Sequence, residues 1–206
     1  MFWKIIKRTL WIIILLFLTL FLLFVGLIVY SALFGLKTTD TDIIRYDEYR
    51  SEMLYASEFM PSLDELGPYQ DIAFGQAEVY YMPFFISESM NLFVKYSDAD
   101  YQRVKSQALA SHQLITEDVY DYSGYLIMMA KVDYYGYSLQ AFQCYKHLDM
   151  ACKHIGFIGF DDDQHSVCYL IYNDDDRDFI ADQDEDPLKA MHRWLKKEFW
   201  WHTFDK

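Results

Sequence analysis

The stretch IGFIGFDDDQHSVCYLIY, residues 155–172, decides how this chain folds. Two apolar runs, 155–160 and 167–172, flank the polar residues 161–166, which is the pattern of a β-hairpin. The return strand alternates Val167, Tyr169 and Ile171 against Cys168, Leu170 and Tyr172, apolar on both sides. A strand of that kind needs cover on both of its faces, and helices are the expected cover.

Reading outward from the hairpin, residues 125–132 and 137–144 form a second candidate pair around Asp133-Tyr134-Tyr135-Gly136. Residues 72–74 and 77–85 are rich in aromatic and β-branched side chains, with Gly75 between them as an expected turn or bulge. Residues 90–96 read as a further strand. Ser97-Asp98-Ala99-Asp100 is a helix start, because a short polar side chain accepts the free amides of the first turn and acids suit its positive end. That helix is expected to run to about Ser111, burying Tyr101, Val104, Ala108 and Leu109 and turning Arg103 and Lys105 outward. Asp186-Pro187 begins another, with Leu188, Met191, Leu195 and Phe199 at helical spacing. An earlier helix is expected over residues 43–59, where Tyr46, Tyr49, Met53, Ala56 and Met60 form one apolar stripe, and Pro61, Gly67 and Pro68 end it. That stripe is expected to pack on the chain's own domain, with juxtamembrane dimerisation as the alternative. The fold class is therefore α+β: one domain with a largely antiparallel sheet and two or three packed helices.

Residues 10–36 form an apolar run without a charged side chain. Spanning a hydrocarbon core of about 30 Å takes roughly 20 such residues, and only a helix hides its backbone there, so the run reads as a transmembrane signal anchor. A cleaved signal peptide shares the basic start but uses a shorter apolar region. Trp3, Trp11 and Tyr30 lie toward the two ends, where amphipathic rings favour the head-group level. Ser31 and Gly35 share one helix face, a pattern that serves close helix packing or simply occurs near a helix end. Lys4, Lys7 and Arg8 precede the run while Lys37 alone follows it before Asp40 and Asp42, which puts residues 1–9 in the cytoplasm. Residues 37–42 then read as a tether, and residues 43–206 as an extracytoplasmic domain on the cell membrane.

The chain carries a net charge of −13, and the three basic residues before the apolar run leave −16 for residues 37–206. That charge repels phosphate backbones and anionic head groups, which excludes nucleic acid as a partner. High charge also accompanies disorder, but the whole chain's 18 tyrosines and 16 phenylalanines, most of them after residue 36, place it among folded chains.

Two clusters invite a metal. Asp174, Asp176 and Asp178 alternate and Glu185 falls twelfth from Asp174, the spacing of a calcium loop, though Phe179 stands where the sharp turn usually takes glycine and the preceding segment reads as strand. A solvated acidic loop leading to a helix cap is the competing and preferred reading. If this loop and the acidic residues Asp161, Asp162 and Asp163 lay at one end of the sheet, they could share a cation. Cys144, His147, Cys152 and His154 are possible zinc ligands whose intervals match no common finger. Cys144 and Cys168 could pair if their strands were neighbours.

No serine elbow, H-E-x-x-H or phosphate loop is present, and His112, His165, His192 and His202 are scattered, so no catalytic residue is assigned and the chain reads as a non-enzyme requiring no cofactor. An enzyme with a dispersed site is the remote alternative. Trp194, Phe199, Trp200, Trp201 and Phe204 gather with Lys189, Arg193, Lys196 and Lys197, either closing the core or meeting a membrane or acidic partner. The functional expectation is a membrane-anchored binding or interaction module with a protein partner in the cell envelope, and the alternative is a calcium-binding envelope domain.

Overall fold

A computed structural model describes residues 2–81, 85–143, 154–174 and 179–204. Helix α1, Phe2–Phe34, leads directly into strand β1, Leu36–Asp40. After a 3-10 turn at Ile43–Arg45 come α2, Tyr46–Glu52, and α3, Ala56–Phe59. Strands β2, Asp71–Tyr81, and β3, Phe85–Lys95, precede α4, Asp98–Ser111. The second half holds β4, Val119–Tyr120, β5, Leu126–Met128, β6, Lys131–Tyr134, β7, Tyr137–Phe142, β8, His154–Asp161, β9, Ser166–Asp174, and α5, Pro187–Glu198. The fold is α+β, with a seven-stranded antiparallel sheet in the order β1-β2-β3-β9-β8-β7-β6 and a separate β4-β5 pair.

The 155–172 hairpin lies at the centre of that sheet. Asp161 pairs with Ser166, and every residue of β8 is buried. The two sides of β9 separate as the alternation requires: Val167, Tyr169 and Ile171 join a core beneath α2, α3 and α4, while Cys168, Leu170 and Tyr172 join a core beneath α5 and the β4-β5 pair. Sheet burial on both faces makes this a three-layer domain.

Local signals set the helix ends. The Ser97 side chain accepts from the Asp100 amide, and Asp186 accepts from Leu188 and Lys189 ahead of Pro187. Tyr101, Val104 and Ala108 face the core. Leu109 and Leu188 remain exposed, so the buried stripes are narrower than the apolar pattern implied. Lys105 does not point into solvent: its ammonium bends back to Asp162 at 2.6 Å.

Four sequence-based boundaries are corrected. The expected helix over 43–59 is broken: Asn173 of β9 donates to the Leu54 carbonyl at 2.9 Å, and Tyr55 sits at φ +62°, beyond helical continuation. Its apolar stripe is nevertheless buried on the chain's own domain at Tyr46, Met53, Ala56 and Met60. Residues 37–42 are not a free tether, because Leu36–Asp40 pair with Gln76–Tyr80 as an edge strand. Gly75 makes no turn. It pairs with Asn91 inside an unbroken β2, and a Cβ there would lie 3.0 Å from Trp200, so the glycine admits the C-terminal tail against the sheet. Residues 125–132 are two short strands, and the turn between β6 and β7 is two residues, Tyr135 and Gly136, both at positive φ as a tight hairpin demands.

The apolar part of α1, Ile6–Ser31, is long enough to cross a membrane and lies outside the folded core, consistent with either a membrane anchor or a secretion signal. Ser31 and Gly35 do meet a neighbour, but it is β2 and not a second helix: the Ser31 hydroxyl donates to the Tyr80 carbonyl at 3.0 Å.

Candidate functional site

The residue that follows β3 begins the site. Tyr96 is 1% exposed, its amide donates to the His165 carbonyl at 3.0 Å, and its buried hydroxyl has no hydrogen-bond partner among the described residues. Burial pushes its pKa well above the ordinary tyrosine value, so the phenol stays a neutral donor. An unpaired buried hydroxyl costs about 1–3 kcal/mol, and a native fold that retains one calls for a reason.

Tyr96 stands between two open cavities. The larger, about 370 Å³, is a cleft between α4 and the segment that joins α2 to β2, lined by Arg50, Met60, Leu66, Val104, His112 and Tyr169 among others. This volume falls within the range of small-molecule sites. Arg50 builds the outer wall: its guanidinium donates to the Met60 carbonyl at 2.6 Å and to that of Ser57 at 2.8 Å, and lies 3.5 Å from Glu65. The Tyr46 hydroxyl ties the same segment down through the Pro61 carbonyl at 2.6 Å. Opposite, the His112 ring is edge-on to Phe59 and Phe142. Its Nε2 meets the Phe59 carbonyl at 3.1 Å, and its Nδ1 lies 2.9 Å from the Ser111 hydroxyl. With the proton on Nε2, the ring donates to the Phe59 carbonyl, so α4 is clasped to α3 across the cleft mouth.

The smaller cavity, about 320 Å³, is lined by Gln70, Lys95, Tyr96, Ser97, Asp98, Asp163, Gln164 and His165. Beside it, Asp162 accepts from the Tyr101 hydroxyl and the Lys105 ammonium, both at 2.6 Å. The Lys105 and then the Tyr101 hydrogen bond hold the Asp162 carboxyl below the usual carboxylate range. A depressed folded pKa contributes stability that is present above the unfolded value, near 4, and is lost as pH falls through the folded one. Because Asp162 is largely exposed, the contribution is at most a fraction of a kcal/mol after screening. Asp162→Asn is therefore expected to lower stability slightly at pH 7 and to reduce the acid loss of stability below about pH 4. Urea unfolding at pH 3 and pH 7 reads the difference.

The residues singled out from sequence fare differently. Asp174 ends β9 and accepts from the Tyr172 hydroxyl at 2.7 Å, while Glu185 pairs with Arg193. Asp176 and Asp178 lie outside the described residues. The condition for a shared cation is not met, since Asp161 to Asp163 sit in the hairpin before β9 and Asp174 ends it, about 26 Å away along an eight-residue rise. Cys144, His147 and Cys152 also lie outside the described residues; His154 meets Asn173 at 3.0 Å and the Tyr55 ring edge-on. Among the described residues no three or more His, Cys, Asp or Glu side chains gather as a metal site. Cys168 is a fully buried free thiol, and the other half of the candidate Cys144 pair lies outside the described residues. In the C-terminal cluster Trp194, Phe199 and Phe204 close the core, Trp201 is half-buried and Trp200 is half-exposed.

Sequence reading passed over Tyr96 as a strand end and set His112 aside as scattered. No local pattern marks either one, because the cleft arises only when the segment after α2 folds over α4. No protein-family model, curated protein or solved structure matches this chain.

Proposed function

We propose that this is a single-pass membrane-anchored binding domain, held outside the cytoplasm by α1, that receives a small ligand in the cleft above Tyr96. The observation that carries the binding reading is the unpartnered Tyr96 hydroxyl beside an open cavity of about 370 Å³. A ligand acceptor would complete that hydroxyl, with Met60, Leu66, Val104 and Tyr169 offering apolar contact. The −16 charge of residues 37–206 favours a neutral or cationic ligand over an anion. The anchor reading draws support from the last turn of α1, where the Ser31 hydrogen bond to Tyr80 makes the helix end part of the fold, an unnatural use of a segment to be cleaved away. The basic residues at positions 4, 7 and 8 support the outward orientation.

The test uses the full chain in detergent, titrated with small neutral amides and with cationic amino amides, whose carbonyl supplies the acceptor. A fragment present at a hundred times its Kd is expected to stabilise the protein by about 2.7 kcal/mol. Tyr96→Phe is expected to abolish that gain while raising the stability of the unliganded protein by about 1–3 kcal/mol, since the orphan hydroxyl is gone. A variant that is destabilised, or that responds to fragments as the parent does, overturns the reading.

A further inference from the structure

We propose that Tyr80, Phe85 and Ile86 of the β2-β3 ribbon enter the membrane interface beside α1, so that the domain is held at a fixed height and orientation on the bilayer. This rests on the anchor reading of α1. The junction leaves no slack: α1 passes to β1 through Gly35 alone, whose amide donates to the Ser31 carbonyl at 2.8 Å and whose φ is +71°. A Cβ at Gly35 would collide with Val79, so glycine is what allows the helix end to lie against β2. Ser31 is fully buried in that contact.

The strand register then aligns the ribbon with the helix. Leu36 pairs with Tyr80 and Tyr81 with Phe85, whereas the described pairing of β3 with β9 reaches only as far as Ser87 opposite Asp174. Phe85 and Ile86 lie beyond that pairing, and Ile86 is opposite Tyr80, whose carbonyl holds Ser31, so both are level with the last turn of α1. Both are 41% exposed, and Leu36 and Tyr80 beside them are exposed too. Tyr30 and Leu33, in the same last turns of α1, are exposed as well. A soluble domain has little reason to gather such side chains at one rim. The polar level begins just below: the Tyr80 hydroxyl donates to Glu78 at 2.6 Å, and the Lys37 ammonium reaches the Lys197 carbonyl at 3.3 Å. Aromatic and aliphatic residues above, with carboxylates and lysine beneath, match the polarity gradient of a bilayer surface. The occupant is lipid because this rim is continuous with a helix that lipid surrounds. The domain's acidity directs it to zwitterionic head groups.

The experiment places bimane on single cysteines of the full chain in phosphatidylcholine nanodiscs, in a Cys144→Ser, Cys152→Ser background that keeps the buried Cys168. The reporters are Ile86→Cys, Leu33→Cys for the anchor and the exposed Gln102→Cys on α4, each checked for an unchanged circular dichroism spectrum. A shallow nitroxide lipid is expected to quench Ile86 and Leu33 comparably and to leave Gln102 bright. Quenching at Leu33 with Ile86 as bright as Gln102 overturns the ribbon proposal and leaves the anchor standing. No quenching at Leu33 overturns the anchor and the ribbon together. Protection of Ile86 from aqueous iodide without lipid quenching also overturns the proposal, in favour of a second copy of the chain covering the ribbon.

Discussion

Trp194→Ala is expected to cost the domain about 3–5 kcal/mol, the range for removing a large buried aromatic side chain. Trp194 is 4% exposed on the inner face of α5, with its ring edge-on to Tyr172 at 5.2 Å and to Phe199 at 5.6 Å and tilted against Phe157 at 6.5 Å. Those three partners come from β9, β8 and the end of the helix itself. Removing the indole opens a space that none of them can fill without leaving the sheet or unwinding the last turn. Because native domains are stable by only about 5–15 kcal/mol, the loss is visible as a marked fall in the urea midpoint of the full chain in detergent. A midpoint unchanged within error would mean that α5 does not hold the second face of the sheet.

Phe93→Ala is expected to have an effect of the same size, about 3–5 kcal/mol, by a different route. Phe93 is fully buried in β3 and contacts the C-terminal tail, with ring centroids 5.8 Å from Trp201 and 6.3 Å from Trp200 and His202. The tail is tied to the same strand by polar contacts: the Ser89 hydroxyl donates to the Glu198 carbonyl at 2.5 Å, and the Asn91 amide donates to the Trp200 carbonyl. Without the Phe93 ring these hydrogen bonds lose the dry surroundings that make them worthwhile. The variant is expected to expose the tail before the rest unfolds, so limited proteolysis should clip the C-terminal aromatic segment under conditions that leave Trp194→Ala cut elsewhere. Among the described residues no aromatic ring touches both side chains, and their costs are expected to add within about 0.5 kcal/mol.

How much of this was readable in advance depends on the range of the interaction. The central hairpin was legible because a strand buried on both sides must be apolar at every position, and 155–160 and 167–172 are. The starts of α4 and α5 were legible because Ser97 and Asp186 satisfy amides only two or three residues away. The burial of the Tyr46 to Met60 stripe was legible as an amphipathic pattern, but its break was not: Asn173, more than a hundred residues downstream, captures the Leu54 carbonyl. Of the candidate site, little could be foreseen. Tyr96 looks like any strand-end tyrosine until its hydroxyl is seen to lack a partner, and the Arg50 wall depends on carbonyls at Ser57 and Met60 that only the folded loop turns toward it.

Composition, periodicity and capping therefore settle the central hairpin, the starts of α4 and α5, that one apolar helix precedes an acidic domain, and that the sheet is covered on both faces. Each of these depends on neighbours within a turn or a pleat, where chemistry and spacing are written side by side. Tertiary structure alone decides that Leu36–Asp40 is an edge strand and not a tether, that Gly75 makes room for Trp200, and that Asp161 and Asp174 lie at opposite ends of the central hairpin. It also decides that Tyr96 borders a cleft. Those outcomes join residues far apart in the chain, and the pairing is selected by which surfaces can be buried together without leaving polar groups unmet. No local stretch carries that information.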